Sequence, residues 1–427
     1  MVVMKFGGSS IADSEKIKNV CEIVKSRLNQ KPILVLSAVG GITNKLLELT
    51  EKKDLKILDE IIKKHKKILK ELELNEKILD EPFEELEKSI KEKTNLKILD
   101  KVQSFGERAS VKIVAEYLNK IGISAKAINS YDIGMLTNSD FGKAEFLENT
   151  QEKLKKNLQN LSEIPVITGF IAKDLNGEIT TLGRGGSDYT AAIIGAALEK
   201  PIEIWTDVNG IMTADPRIVK NAKTIERIDF NEAAELAYFG AKVLHPKTIW
   251  PAIQKNLPVR VLNSFEPESK GTTILKEDSK ETPTIKAISC KKKIIIIDIK
   301  STRMLMAYGF LVELFSIFKK YKKVVDVIST SEVSVSLTID NEENLEEIKK
   351  ELEKIAKIEI KKQKSIICII GEKICEQKNK IAEIFEILKD VKIDMVSMGA
   401  SKINISLVID EKETEEVVQR LHKKFFE

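Results

Sequence analysis

An α/β domain with a mainly parallel central sheet and helices on both faces, followed by two α+β units, is the fold class predicted for this chain of 427 residues. Three observations predict it. Short apolar runs alternate with stretches of helical period as far as about residue 263. Residues 264–283 are then polar and carry Pro, Gly, Ser and Thr, which predicts a linker. From residue 284 the rhythm becomes βαββαβ, and a second round follows that stops one strand short. This is an internal repeat of roughly 65–70 residues, each unit a split βαβ sandwich.

The elements follow in order. The opening "VVMKFGGSSIADSEKI" reads as a strand at 2–6, a Gly-rich turn and a helix at about 13–28. With the apolar run 33–37 it makes a βαβ unit. Residues 45–101 repeat Lys, Glu, Leu and Ile at helical period with almost no glycine, which predicts two or three surface helices in a lid-like insertion. Within them Lys63–Lys67 reads as a solvated helix face. Residues 102–120 read as one helix carrying "SFGERAS". "AKAINS" (125–130) and "IPVITGFIA" (164–172) read as strands, with a helix at 144–160 between them. "EITTLGRGGSDYTAAIIGAAL" gives strand, Gly loop and a helix at 189–198, and "IEIWTDVNGIMTADPR" gives strand and loop. A helix near 231–238, the "FGAKVLHP" turn and the strand "PVRVLNS" close the first domain at 263.

In the repeat, the first unit spans 293–362 and the second 365–427. The second lacks its last strand, which would leave a sheet edge open. The stretch "TIKAISC" (284–290) has no partner in the first unit and is expected to cross over and complete the second.

Composition bounds the function. Apolar residues make up 42%, enough for several cores, and the net charge of +4 with 5% aromatics does not point to nucleic acid. The four cysteines have no metal-site spacing, so no protein-built metal site is expected, and reduced thiols in a cytoplasmic protein are the plain reading. No apolar run approaches the ~18 residues of a membrane span.

Chemistry concentrates in a few stretches. In "KFGGSS" a strand delivers Lys5 to a turn of Gly7, Gly8 and Ser9 at the head of a helix, a common anion cradle. It matches neither a P-loop nor a dinucleotide fingerprint. In "TTLGRGGSDYTAA", Gly183, Gly185 and Gly186 permit a sharp turn, Ser187 and Asp188 sit where an N-cap belongs, and Arg184 offers a planar fork for carboxylate or phosphate. Thr206 and Asp207 end a strand, at the edge where open α/β sheets bind ligands. Arg217 follows a proline, and Lys242 lies beside a helix end; His245 precedes Pro246 and reads as structural. No Ser-His-Asp or Cys-His set is visible. Cations and Gly loops without a catalytic base suit phosphoryl transfer from a polyphosphate.

Together "KFGGSS", "SAVGGITN" (37–44), "SFGERAS" (104–110), "TLGRGGSDYTA", "WTDVNGIMTADPR" and "FGAKVLHP", with "GFLVELF" and "STSEVSVSL" further on, closely resemble the aspartate kinase family of the amino-acid kinase superfamily. The resemblance runs from residue 2 to the C-terminus. It implies an amino-acid kinase fold followed by two ferredoxin-like ACT domains. It also implies Mg²⁺-ATP-dependent phosphorylation of the β-carboxylate of L-aspartate, opening the route to lysine, threonine and methionine. It assigns Lys5 and Asp188 to the chemistry, and Ser37, Thr43, Glu107, Arg184, Gly185, Gly186 and Ser187 to aspartate. Thr206, Asp207, Met212, Arg217, Lys242 and Val243 match the ATP positions, with Met212 where many relatives carry tyrosine.

For a free amino-acid effector bound between ACT units, the matching residues are Met304, Gly309, Phe310, Leu311, Val325, Asp326, Ser331 and Glu332. The pattern is most like lysine-inhibited relatives, so lysine is the expected effector and an ACT-mediated homodimer or higher oligomer the expected assembly. Two other readings stand beside this one. One is another acyl-phosphate-forming kinase acting on acetylglutamate or glutamate; the other is a catalytically silent amino-acid sensor.

Overall fold

The computed structural model describes residues 1–147, 150–159, 161–240, 244–277, 285–304 and 308–427. By contact the chain forms two compact units. The first takes in Met1–Ile211, Glu226–Phe230 and Val243–Asp278; the second takes in Met212–Ile225, Asn231–Lys242 and Ser279–Glu427. A single cut at residue 263 does not describe this division.

The first unit begins with β1 (Val2–Phe6), α1 (Ser14–Ser26), β2 (Pro32–Leu36), α2 (Ile42–Lys52), α3 (Leu55–Glu71), α4 (Asp80–Lys91) and α5 (Leu96–Lys120). It continues with β3 (Ala125–Ile128), β4 (Leu136–Thr137), α6 (Thr150–Leu158), β5 (Ile164–Thr168), β6 (Ile171–Asp174), β7 (Ile179–Thr181), α7 (Gly186–Leu198) and β8 (Ile202–Thr206). After β9 (Arg227–Asp229) and α8 (Phe230–Tyr238, mostly in the second unit) come α9 (Pro246–Gln254), β10 (Val259–Asn263) and β11 (Thr272–Leu275).

Eight strands form the central sheet in the order β3-β5-β2-β1-β8-β10-β11-β9. All neighbours are parallel except β10 and β11. Every residue of β1 and β2 is buried, as expected for central parallel strands covered on both faces.

Three expectations are corrected here. Residues 264–283 are not only a linker: β11 pairs antiparallel with β10, Val259 opposite Ile274. The helices of 45–101 are not a lid on the surface. Leu46, Leu49, Ile61, Leu69 and Phe83 join the same core as Phe6, Leu36 and Val114. Lys63, Lys66 and Lys67 are exposed as read, but His65 between them is fully buried against Phe83 and Phe105. Finally, 164–172 is two strands in two sheets. Gly169 and Phe170 break it, Phe170 standing in the left-handed region at φ +65°, and β6 turns away to pair with β4 and β7.

The second unit carries β12 (Ala287–Lys300), α10 (Phe310–Lys320), β13 (Ile328–Thr330), β14 (Ser334–Ile339), α11 (Leu345–Leu352) and β15 (Lys357–Ile370). It ends with α12 (Lys378–Ile387), β16 (Ile393–Met398), β17 (Asn404–Asp410) and α13 (Thr414–Phe426). Its single six-stranded sheet runs β13-β14-β12-β15-β17-β16. The two repeats share two 14-residue strands. The first halves of one and last of the other pair across the repeats, Ala287 opposite Ile370 and Cys290 opposite Ile367. The residues before the first repeat thus complete the sheet of the second, as the missing strand predicts. Two separate cores flank this sheet, one under α10 and α11 and one under α12 and α13.

Candidate active site

Strand ends build the site. The parallel order sets the carboxyl ends of β2, β1 and β8 side by side. β1 delivers Lys5 there, 9% exposed, and its ammonium lies 2.6 Å from Asp188 Oδ1 in the first turn of α7. Gly7 lies beside that ammonium: an added Cβ would stand 3.6 Å from Lys5 Nζ, in ordinary contact. The Gly7 amide is not free for an anion: it donates to the Trp205 carbonyl at 3.1 Å. The turn Gly8–Ile11 leaves the Gly8 and Ser9 amides at its open start, where no intrahelical acceptor exists.

The second Gly loop presses against the first. A Cβ on Gly8 would be 2.8 Å from the Ala38 carbonyl, and one on Gly40 would be 2.9 Å from the Gly8 carbonyl. Ser37 continues β2, its amide donating to the Phe6 carbonyl and its own carbonyl accepting from Ser110 Oγ at 2.8 Å. Thr43 lies in the first turn of α2, half-buried. Lys64 turns inward from α3 and donates to the Gly40 carbonyl at 2.6 Å.

Glu107 comes from the middle of the 25-residue α5, 3% exposed. Gly106 makes this possible. A Cβ there would stand 2.6 Å from Ala38 Cβ, so glycine lets the loop close on the helix and the Ala38 amide reach Glu107 Oε1 at 3.1 Å. Glu107 Oε2 is buried without a partner, and burial pushes the carboxyl up to about 8. A carboxyl so enclosed keeps its proton until a ligand brings a cation to it.

The third loop enters α7. Gly183 and Gly185 have φ of +72° and +74°, the left-handed region that favours glycine. Arg184 between them is exposed. Gly186 starts α7, and Ser187 packs on Gly169, where a Cβ would stand 2.6 Å from Ser187 Cβ. Thr206 Oγ1 bonds Asp207 Oδ1 at the end of β8.

The structure thus brings Lys5, Gly7, Gly8, Ser9, Ser37, Glu107, Ser187 and Asp188 to one edge of the sheet. Met212 and Arg217 fall in the second unit, where Met212 bridges Thr224 and Arg217 is held by Asp215 at 2.6 Å. Lys242 and Val243 lie outside the described residues. His245 precedes α9, its carbonyl accepting from Thr248, a structural place. Sequence reasoning missed Ala38, Lys64, Gly169 and Asp100. The only local signal was the glycine interrupting an apolar run at 169.

Of the expected effector residues, Gly309 precedes α10 at φ +87° with open space beside it, and Phe310 packs in the core. Met304 and Val325 are half-buried against that core, and Leu311 is exposed. Ser331 bonds Ser334, and Glu332 is exposed. Asp326 is engaged rather than solvated. Its carboxylate accepts from Tyr238 Oη at 2.5 Å and pairs with Lys291 at 2.9 Å.

Known proteins are similar to this chain over its whole length. The amino acid kinase family matches residues 1–263 and an ACT domain matches 367–425. The chloroplastic aspartokinase 1 of Arabidopsis thaliana is 41% identical over 460 aligned positions, covering 100% of this chain and 80% of that protein. The lysine-sensitive aspartokinase 3 of Escherichia coli is 36% identical, covering 100% and 99%. Among solved structures, E. coli aspartokinase III with aspartate and ADP, called R-state, superposes with a TM-score of 0.84 at 34% identity. Its T-state complex with lysine and aspartate gives 0.85, and both cover 100% of both chains. Clostridium acetobutylicum aspartate kinase gives 0.88 at 30% identity, again over 100% of each chain. This chain belongs to the amino acid kinase family and, within it, to the aspartokinases that carry a C-terminal ACT region.

Proposed function

We propose that this chain transfers the γ-phosphoryl group of ATP to the β-carboxylate of L-aspartate, giving 4-phospho-L-aspartate and ADP, and that lysine inhibits it. A new bond forms between a carboxylate oxygen and the γ-phosphorus. The bond from that phosphorus to the bridging oxygen breaks, and ADP leaves with the electron pair. The acceptor is ionised at neutral pH, its free pKa being about 3.9, so no general base is required. The difficulty is repulsion between two anions. Lys5, held at the strand end by Asp188, supports the reading most directly, because it sets an ammonium beside two Gly loops at the sheet edge. It compensates charge on the transferring oxygens, with the Gly8 and Ser9 amides.

Glu107 would take the α-ammonium of aspartate, and Arg184 its α-carboxylate, with Ser37, Thr43, Gly185, Gly186 and Ser187 around it. Thr206, Asp207, Met212, Arg217, Lys242 and Val243 would hold the nucleotide. Among the described residues no three acidic, His or Cys groups converge as a metal cage. Mg²⁺ is ordinarily held by phosphates with one or two carboxylates, a place Asp188 can fill, and would neutralise the β- and γ-phosphate oxygens.

We place the product at the head of lysine, threonine and methionine synthesis, in the cytoplasm; among the described residues no helix is long and apolar enough to cross a membrane. Lysine would bind at Met304, Gly309, Phe310, Leu311, Val325, Asp326, Ser331 and Glu332. We further propose a homodimer through the ACT region, supported by the exposed Leu311, Val312, Val324 and Val333. ADP release measured with L-aspartate, N-acetylglutamate and glutamate tests the activity. Turnover with aspartate alone is expected. Turnover with either other acceptor would reassign the substrate, and none at all would make the chain a sensor.

A further inference from the structure

Asp100 is fully buried on α5, in a helix interior where a short acid is disfavoured. The helix does not use it as a cap, since Asn95 fills that place. Among the described residues no cation pairs with it. Its carboxylate instead collects three donors from outside the helix. Oδ2 accepts from the Gly142 amide and the Thr181 amide, both at 2.9 Å, and Oδ1 accepts from Thr181 Oγ1 at 2.8 Å.

One anchor point, Thr181, leads into the loop that presents Arg184, and the other, Gly142, lies in the β4–α6 connection that packs against that loop. Thr181 ends β7, three residues before Arg184, and its carbonyl accepts from the Ala144 amide at 2.8 Å. Gly183 packs on the Gly142 carbonyl, where a Cβ would stand 3.2 Å away. On the other side, Asp100 precedes Glu107 by two helical turns, which puts the two carboxyls on one face of α5.

We infer that Asp100 is a positioning residue that ties the Arg184 loop to the helix carrying Glu107, so that the two groups facing the substrate's α-carboxylate and α-ammonium keep a fixed separation. The inference rests on the reading of Arg184 and Glu107 given above. Burial holds the carboxyl above the usual carboxylate range, and the three donors partly offset it.

The test is steady-state kinetics on the full chain. Asp100→Ala removes the acceptor of the Gly142 amide and of the buried Thr181 amide and hydroxyl, and a misplacement of about 1 Å can cost about a hundredfold. The aspartate KM is expected to rise about tenfold or more with the ATP KM within about twofold. Asp100→Asn should stay within about threefold of wild type, because its carbonyl can take both amides while its NH₂ donates to the Thr181 hydroxyl. A folded Asp100→Ala enzyme with unchanged aspartate KM overturns the inference, as does a parallel rise in both KM values. If Asp100→Ala does not fold, Thr181→Val decides. It removes one bond, and a rise in aspartate KM alone supports the tie while no change refutes it. Arg184→Ala is run alongside: an unchanged aspartate KM there overturns the reading of the site itself, and this inference with it.

Discussion

Lys5 and Asp188 show how far one residue can be read from sequence. A lysine at the end of an apolar strand ahead of two glycines is legible, and so is an acid at a helix start. Their 2.6 Å contact joins positions far apart in the chain and is set by the order of β1, β8 and α7. Lys5→Ala is expected to lower kcat by about a hundredfold or more, the size of effect seen when a fixed charge stabiliser is removed. ADP release from the folded variant measures it, and near-normal turnover would remove Lys5 from the chemistry.

Glu107 gives a pH dependence with a definite sign. Its carboxyl is pushed up to about 8, against 4.5 when free, so the native state keeps a proton that the unfolded chain loses. Stability from this group is fully present below about pH 4.5 and declines by about 1.4 kcal/mol per pH unit as pH rises toward 8. Glu107→Gln should flatten that decline in urea titrations at pH 5, 7 and 9. A Gln variant with the wild-type slope would count against a buried neutral carboxyl.

Helix α5 joins the site to the core. Gly106 costs helix stability of about 1 kcal/mol relative to alanine, yet it admits Ala38 at a distance no Cβ could share. Gly106→Ala is therefore expected to destabilise by about 1–3 kcal/mol through overpacking and to raise the aspartate KM, since Ala38 orients Glu107. Chemical denaturation and kinetics on the same variant check both. An enzyme stabilised by the alanine would show that the contact relaxes at no cost.

The helices of 45–101 were legible as helices, because their period is local. Which face they bury was not, because Leu46 and Phe83 meet Leu36 and Val114 only through the tertiary fold. β11 escaped for a similar reason. "TTIL" is too short to carry a pattern, and only its pairing with β10 makes it a strand. At Gly169 the sequence held the signal, but a run of apolar residues on both sides hid the change of sheet.

The regulatory half poses a question for the molecule as a whole. Asp326 is read as the partner of a ligand ammonium, but Lys291 and Tyr238, 35 and 88 residues away, already engage it. No local pattern reveals such partners. Tyr238 ends α8, whose Glu232 forms a buried ion pair with Lys286 in the same unit. On that reading a bound lysine competes with an internal ammonium of the same chemistry, and it shifts the enzyme only by its differential affinity for two states. Inhibition is expected in the millimolar range, and Asp326→Ala should move the inhibition curve to higher lysine. A flat response of the wild type across a lysine titration would leave threonine as the effector to try.

The two shared strands have a consequence for synthesis on the ribosome. Ala287 emerges roughly 80 residues before Ile370, its partner, which at about 5–20 residues per second is on the order of ten seconds. In that interval the first repeat can close around α10 and α11, while the stretch from Ala287 to Cys290 still waits for its neighbour. The order of emergence thus makes the inserted repeat the earlier to mature. Chains ending at residue 362 and released from the ribosome should already protect Leu314 and Leu337 from proteolysis while remaining cleavable around Lys291. Equal protection at both places would show that the waiting strand finds another partner on the way out.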